Sequence, residues 1–366
     1  GSPRAWYEHL KAFLLNLGFG ISEMDPCLFT YFEEHTLVLI VAVYVDDLII
    51  GGTLKFAEWF ANEIKKEFLM EDLGEPKRIL GIEVTQDQDS ITLNQGSYVD
   101  KILKRFDFED CTPKWTPMES KLRLTADDQN DWESVKDFPY RSLVACMLYL
   151  AVCTRFDIAY AVKELCRFLE KPGSAMVAAA KRVLRYVKAT KKNGLKYPKK
   201  WRTDRIVEHC AVWSTINPIK GFTDADWAGH PDTRKSTAGL ILLFNGTAVS
   251  WWSKTLRVVA LSSQDAEYMA LSDGCREVVF IRQLLQLLGF RLNTTELLGD
   301  NNGSLAISNN PGEHQKTKHI QVRYHFIRQK IQDKEVKTIK VPTELQLADL
   351  MTKALPQAPH KRLVLL

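Results

Sequence analysis

The 366-residue sequence contains no apolar run long enough to cross a bilayer. Its longest, residues 36–52, is broken by Asp46 and Asp47 and falls short of the ~20 apolar residues a membrane helix needs, so no membrane partner is expected. Cysteine is sparse: the seven are odd in number, widely spread and without a CxxC pair, which argues against a disulfide framework or a zinc site and fits a reducing, intracellular compartment, cytoplasmic or nuclear. The opening Gly1-Ser2-Pro3-Arg4-Ala5-Trp6 has none of the charged start, apolar middle and small-residue cleavage site of a secretory signal. Repeats and low-complexity tracts are absent. Excess charge is small, +4 from 49 basic and 45 acidic residues, which permits nucleic-acid binding without demanding it.

What is present is ample core material. With 45% hydrophobic and 26% charged residues, a chain of this length should form two or three globular units. Leu10, Phe13, Leu14 and Leu17 lie at helical spacing. Strand signals follow over residues 27–32, then over two apolar β-rich runs that flank Val45-Asp46-Asp47 and read as a hairpin with acids at its tip. Residues 78–86 and 89–93 read as two further strands, and residues 139–190 as an α-rich segment. Residues 191–218, basic and poorly periodic, read as a linker or boundary.

Beyond it, residues 221–226 form a strand signal, and 239–244 with 247–252 flank Asn245-Gly246, a strong hairpin turn because both positions tolerate positive φ. Residues 256–261 read as another strand. Ser262 then opens a long helix, with Asp265 completing an approximate capping box and Gly289 closing it. A strand at 296–298, helices from Gly303 and through His319, a strand at 336–341 and a final helix from Glu344 complete a mixed α/β pattern.

Four acids fall where such a sheet would gather them: Asp224 on the first strand, Glu267 near the start of the long helix, Asp300 after the next strand and Asp349 in the last helix. Four carboxylates around one cavity cannot all ionise without cations. Two magnesium or manganese ions about 4 Å apart on shared carboxylates are a general device for activating water and stabilising a leaving oxygen in phosphodiester cleavage. No competing His/Cys cluster favours zinc. Singly, each acid also has an ordinary reading, as helix-dipole, turn or surface residue.

The strings Gly221-Phe222-Thr223-Asp224-Ala225-Asp226-Trp227-Ala228-Gly229, Arg234-Lys235-Ser236-Thr237-Ala238-Gly239, Val249-Ser250-Trp251-Trp252-Ser253-Lys254, Ala260-Leu261-Ser262-Ser263 with Ala266-Glu267-Tyr268, and Lys316-Thr317-Lys318-His319-Ile320 resemble, in order, the signatures of copia-type retrotransposon ribonuclease H. The resemblance implies that Asp224, Glu267, Asp300 and Asp349 are catalytic metal ligands for two Mg2+ or Mn2+ ions. Asp226 competes for the first position, but Phe-Thr-Asp is similar to the general pattern and favours Asp224. His319 and His325 sit in a Lys/Arg-rich stretch that suits phosphate contact, with Lys318 and Arg323 beside them. Gln321 stands where the family commonly has an acid.

Upstream, Ser2-Pro3-Arg4-Ala5-Trp6-Tyr7, Asp25-Pro26-Cys27-Leu28-Phe29, Tyr44-Val45-Asp46-Asp47, Leu73-Gly74-Glu75, Leu80-Gly81-Ile82-Glu83 and Tyr140-Arg141-Ser142-Leu143-Val144 resemble the copia-type reverse transcriptase. The resemblance implies that Asp46 and Asp47 are palm metal ligands and that Tyr44 lines the primer terminus. It also implies a further metal-binding Asp and finger strands ahead of the Ser-Pro-Arg-Ala-Trp segment, so polymerase activity is expected of the intact parent and not of this chain. Phe156 in place of the usual Pro, and Ala145 in place of Gly, depart from the pattern and point to drift.

The expected fold class is α/β (α+β): a truncated reverse-transcriptase palm over residues 1–115, an α-rich thumb/connection and linker over 116–215, and a ribonuclease H-like mixed-sheet domain over 216–366. Lys181, Arg185, Lys188 and Lys192 recur at helical spacing, either as a phosphate track for an RNA/DNA hybrid or as a solvated face. Two functional readings follow: metal-dependent cleavage of RNA in such hybrids, or a catalytically inactive nucleic-acid-binding remnant of a retroelement. A third makes the truncated palm a platform for other Pol-derived subunits. A virus-like particle is a further location compatible with the resemblance.

Overall fold

The computed structural model describes residues 3–200, 218–309 and 318–365. The chain divides into two compact units, Gly1–Pro76 with Val279–Leu292, and Lys77–Val278 with Asn293–Leu366. No helix among the described residues is long and apolar enough to cross a membrane.

In the first unit, helix α1 (Pro3–Asn16) precedes an antiparallel four-stranded sheet in the order β1 (Gly20–Ile21), β2 (Leu28–Glu33), β3 (Thr36–Tyr44) and β4 (Asp47–Gly52), followed by helix α2 (Leu54–Glu67). Of the expected stripe, Leu10 and Leu14 are fully buried, packed with Phe29, Leu39 and Val41 of the sheet and Phe60 of α2, while Phe13 and Leu17 are half-buried at its margin. Helix α2 escapes the sequence reading although Phe56, Phe60 and Ile64 lie at helical spacing. Tyr44 pairs with Asp47, so Val45 and Asp46 form the two-residue turn of a tight hairpin.

The second unit begins with β5 (Arg78–Ile79), β6 (Ile82–Gln86) and β7 (Ser90–Asn94), then helices α3 (Gly96–Arg105), α4 (Tyr140–Cys153), α5 (Ala159–Cys166) and α6 (Ser174–Ala189). Helix α3 is a second omission of the sequence reading; Val99, Ile102 and Leu103 bury its stripe against α4 and α6 residues such as Leu143 and Val183. Strand β8 (Gly194–Pro198) pairs with β7. This corrects the linker reading of residues 191–218 at its start: Leu195 and Tyr197 alternate onto an apolar cluster, and two apolar residues are too short a signal to announce a strand. Residues 201–217 lie outside those described.

A five-stranded sheet then forms in the order β11 (Thr247–Thr255), β10 (Thr237–Phe244), β9 (Ile219–Asp226), β12 (Thr295–Gly299), β13 (Val336–Lys340). The first three are antiparallel, whereas β12 runs parallel to both β9 and β13, giving a mixed sheet. Strand β9 is buried on both faces almost throughout, as a central strand between helical layers must be. The long helix α7 (Ser263–Leu287) links β11 to β12, and α8 (Asn302–Asn309) and α9 (Lys318–Gln332) link β12 to β13. The chain closes with α10 (Asp349–Thr352) and α11 (Gln357–Leu365).

Two expectations need correcting here. Residues 256–261 are not a strand: after one further backbone hydrogen bond, Leu256 N–H to the Ser236 carbonyl, Val258, Val259 and Leu261 are exposed, so β-branched residues mark an irregular crossing to α7. The single closing helix is instead a 3-10 turn (Thr343–Leu345) and two short helices, α10 ending where Lys353 adopts an extended backbone (φ −139°, ψ 149°). The departure at Phe156 is accommodated: its ring meets Trp251 edge-on at 6.0 Å between centroids, and the flanking Arg155 and Asp157 form a buried bidentate pair at 2.9 and 2.8 Å.

Candidate metal centre

The acids converge at the carboxyl ends of the two parallel central strands. Leu298 of β12 sits beside Phe222 of β9, so Asp300 and Asp224, each two residues further on, share a side of the sheet by the period of a strand. Glu267 enters from the second turn of α7, whose start is fixed by Ser262 Oγ accepting the Asp265 N–H at 3.1 Å. That helix lies close on the sheet because Gly274 faces Thr223, where a Cβ would come within 2.5 Å of the threonine methyl. On the opposite face, Gly239 pairs with Asp224 across β9 and β10, and a Cβ there would lie 2.4 Å from Cβ of Met351. The missing side chain lets α10 approach and bring Asp349 to the same end of the sheet. Gln346 fastens this segment by donating to the Thr223 carbonyl at 2.9 Å.

Asp224, Glu267 and Asp300 each offer an oxygen within 4.8 Å of the others. Asp224 and Glu267 are buried, as is Asp349. Asp226, the competitor for the first position, is not in the group. Asp349 joins through a cation: Lys353 Nζ lies 2.7 Å from its Oδ1 and 3.3 Å from Asp224 Oδ2. Thr352 Oγ1 donates to the same Asp224 oxygen, and Asp300 accepts from Thr343 Oγ1 at 3.3 Å.

The electrostatics record the crowding. Burial, then the Asp224 and Asp300 charges, push Glu267 up to about 9. Burial, then Asp224, push Asp349 up to about 7 against the opposing pull of Lys353. Burial works against the charge of Lys353, yet Asp224 and Asp349 outweigh it and hold its pKa above the ordinary lysine value. Such a set of hard oxygen donors, too close to ionise together, fits a divalent magnesium- or manganese-type ion.

The other candidate residues lie apart from this centre. Tyr44, Asp46 and Asp47 are exposed on the first unit's hairpin, and among the described residues Asp46 and Asp47 belong to no group of three ligands close enough to share an ion. Lys181 sits 4.7 Å above the Phe138 ring, Arg185 is half-buried, and Lys188 donates to the Cys111 carbonyl at 2.8 Å. Arg323 donates to Asp273 Oδ1 at 2.8 Å and to the Met269 carbonyl at 3.2 Å, and His325 is exposed. Lys318 and His319 open α9, but their side chains, like Lys316 and Thr317, lie outside the described set. Lys353 and Thr352 are the members of the site that the sequence reading misses. A lysine four residues after an acid on a short helix is the signal that was available.

Residues 1–120 match the family described as reverse transcriptase (RNA-dependent DNA polymerase). The retrovirus-related Pol polyprotein from transposon TNT 1-94 of Nicotiana tabacum is 34% identical over 97% of this chain and 26% of its own length. The putative transposon Ty5-1 protein of Saccharomyces cerevisiae is 31% identical over 76% of this chain and 85% of its own length. Among solved structures, LC11 ribonuclease H1 isolated from compost is 16% identical, covering 37% of this chain and 93% of its own, with a TM-score of 0.29. The chain belongs to the Pol polyproteins of copia-type retrotransposons. It spans about a quarter of the length of the full polyproteins it matches.

Proposed function

We propose that the second unit cleaves the RNA strand of RNA/DNA hybrids by two-metal phosphodiester hydrolysis. The observation that carries this reading is the convergence of Asp224, Glu267 and Asp300 within 4.8 Å in a largely buried setting. Asp224, Glu267, Asp300 and Asp349 would hold two Mg2+ or Mn2+ ions, which when bound supply activation of water and neutralisation of charge developing on the phosphate. The protein's own part is to hold four carboxylates in a fixed constellation. Gly239 and Gly274 set the helix-to-sheet distances, and Gln346 and Thr352 tie α10 to β9. Because burial, and then the neighbouring carboxylates, raise the pKa of Glu267 and Asp349 to about 9 and about 7, ion binding must release protons, and affinity should rise with pH.

The hybrid would be held by basic residues outside the carboxylate centre, Arg323, Lys318 and His319 on α9, with the α6 residues Lys181, Arg185 and Lys188 as a second track. Reverse transcription belongs to the parent polyprotein on this reading, with template and primer as its further partners. The test is incubation of the purified chain with a labelled RNA/DNA hybrid in magnesium, alongside chelator and Asp224→Asn. Cleavage confined to the RNA strand, and lost in the variant, is the expected result. Intact hybrid with retained binding by a folded chain would replace the reading with that of an inactive remnant.

A further inference from the structure

Lys353 is the charged group at this centre that catalysis by carboxylates and ions leaves without a role. Its position is built rather than incidental. Helix α10 ends at Thr352, the Lys353 N–H donates to the Asp349 carbonyl at 3.0 Å, and the backbone then extends. The side chain folds back over its own helix, so that Nζ meets Asp349 Oδ1 at 2.7 Å and Asp224 Oδ2 at 3.3 Å. It thus joins the one acid outside the three-carboxylate group to a member of that group. The side chain remains 37% exposed, and its four-carbon stem has rotamers leading outward.

We propose that Lys353 is a displaceable internal cation: it neutralises the Asp224–Asp349 side of the centre when no metal is bound and must leave for an ion to use those oxygens. This rests on the two-metal reading above. With the ammonium 2.7 Å from Asp349 and 3.3 Å from Asp224, a metal ion bound at those oxygens would sit against a second positive charge, so the ammonium and the metal compete. The lysine keeps mutually repelling acids assembled in advance, and it lowers apparent metal affinity by the fraction of time it occupies them. A purely structural lysine would behave oppositely, because its loss would splay the acids and weaken metal binding.

The test titrates Mn2+ alone into the full chain by calorimetry, comparing wild type with Lys353→Met and Lys353→Arg. If Lys353 fills the site about nine-tenths of the time, the Met variant binds Mn2+ about tenfold more tightly, while the Arg variant, which keeps a cation, does not gain. Equal or weaker binding by the Met variant, beside clear binding by wild type, overturns the proposal and leaves the two-metal reading standing. Absence of binding by a folded wild type removes both. A second measurement is independent of folding in the variants: acetylation of Lys353 in the wild-type chain, read by peptide mass spectrometry, should rise several-fold when Mn2+ is added. Unchanged or reduced labelling contradicts displacement.

Discussion

The chain presents paired acids in two settings. Asp46 and Asp47 sit at the tip of a hairpin in the first unit, exposed to water. Asp224, Glu267, Asp300 and Asp349 come from a strand, the bend after a second strand, and two helices of the second unit, and are largely buried. At the hairpin tip, solvent screens the repulsion between the carboxylates. In the second unit, burial removes the screening, and the cost appears as Glu267 and Asp349 held above their ordinary pKa. Adjacency in sequence makes a motif, whereas desolvation by the surrounding fold makes a cation-demanding centre.

The largest effect that would sharpen this contrast is catalytic. Glu267→Gln should lower hybrid cleavage by on the order of 10³-fold or more, since a lost ligand removes several kcal/mol of charge stabilisation; Asp46→Asn should leave cleavage unchanged in the same assay. Next comes a third acid environment, Asp157, whose charge is met permanently by Arg155 and by the Tyr186 hydroxyl at 2.6 Å. Arg155→Met leaves that carboxylate buried and unpaired and should cost about 3–5 kcal/mol in urea unfolding. A loss below about 1 kcal/mol would show that the site tolerates an unpaired acid, and would weaken the argument from burial.

A smaller effect is the pH dependence of the metal-free chain. Glu267 and Asp349 have folded pKa values of about 9 and about 7, raised above their unfolded values, so their contribution to stability is full below the ordinary carboxylate range and is lost progressively as pH climbs from that range to about 7 for Asp349 and about 9 for Glu267. The melting temperature in chelator should therefore fall over that window, and Mn2+ should restore it. Glu267→Gln should flatten the profile; the Asp46→Asn and Asp47→Asn profiles should overlay wild type. The smallest effect concerns the hairpin itself. Val45 carries φ +51°, an unfavourable region for a β-branched residue, so Val45→Gly should raise stability by up to about 1 kcal/mol, read as a shift in the unfolding midpoint.

Much of the five-stranded mixed-sheet region is legible in the sequence because its local signals agree with its fold. Asn245 and Gly246, both at positive φ, form the hairpin turn, and Ser262 and Gly289 bracket α7 as their chemistry dictates. The central strands read clearly because they are apolar and bounded by turns. Less legible is whatever depends on distant contacts. Strand β8 exists because β7 is there to pair with it, and residues 256–261 carry strand-forming residues without a partner strand. The four acids can be nominated from order and type, but their closeness depends on Gly239 and Gly274, whose importance emerges only once helices lie against them. Lys353 is signalled locally only by its i,i+4 spacing from Asp349; that its ammonium also reaches Asp224 depends on the packing of α10 against β9.

The most direct test of the central claim is Mn2+ binding to the full chain, measured by calorimetry in wild type, in an Asp224→Asn/Glu267→Gln double variant and in an Asp46→Asn/Asp47→Asn double variant. Loss of binding in the first double variant, with binding of wild-type strength in the second, is the predicted result. Retained binding in the first, or its loss in the second, would contradict the assignment of the metal centre to the buried acids.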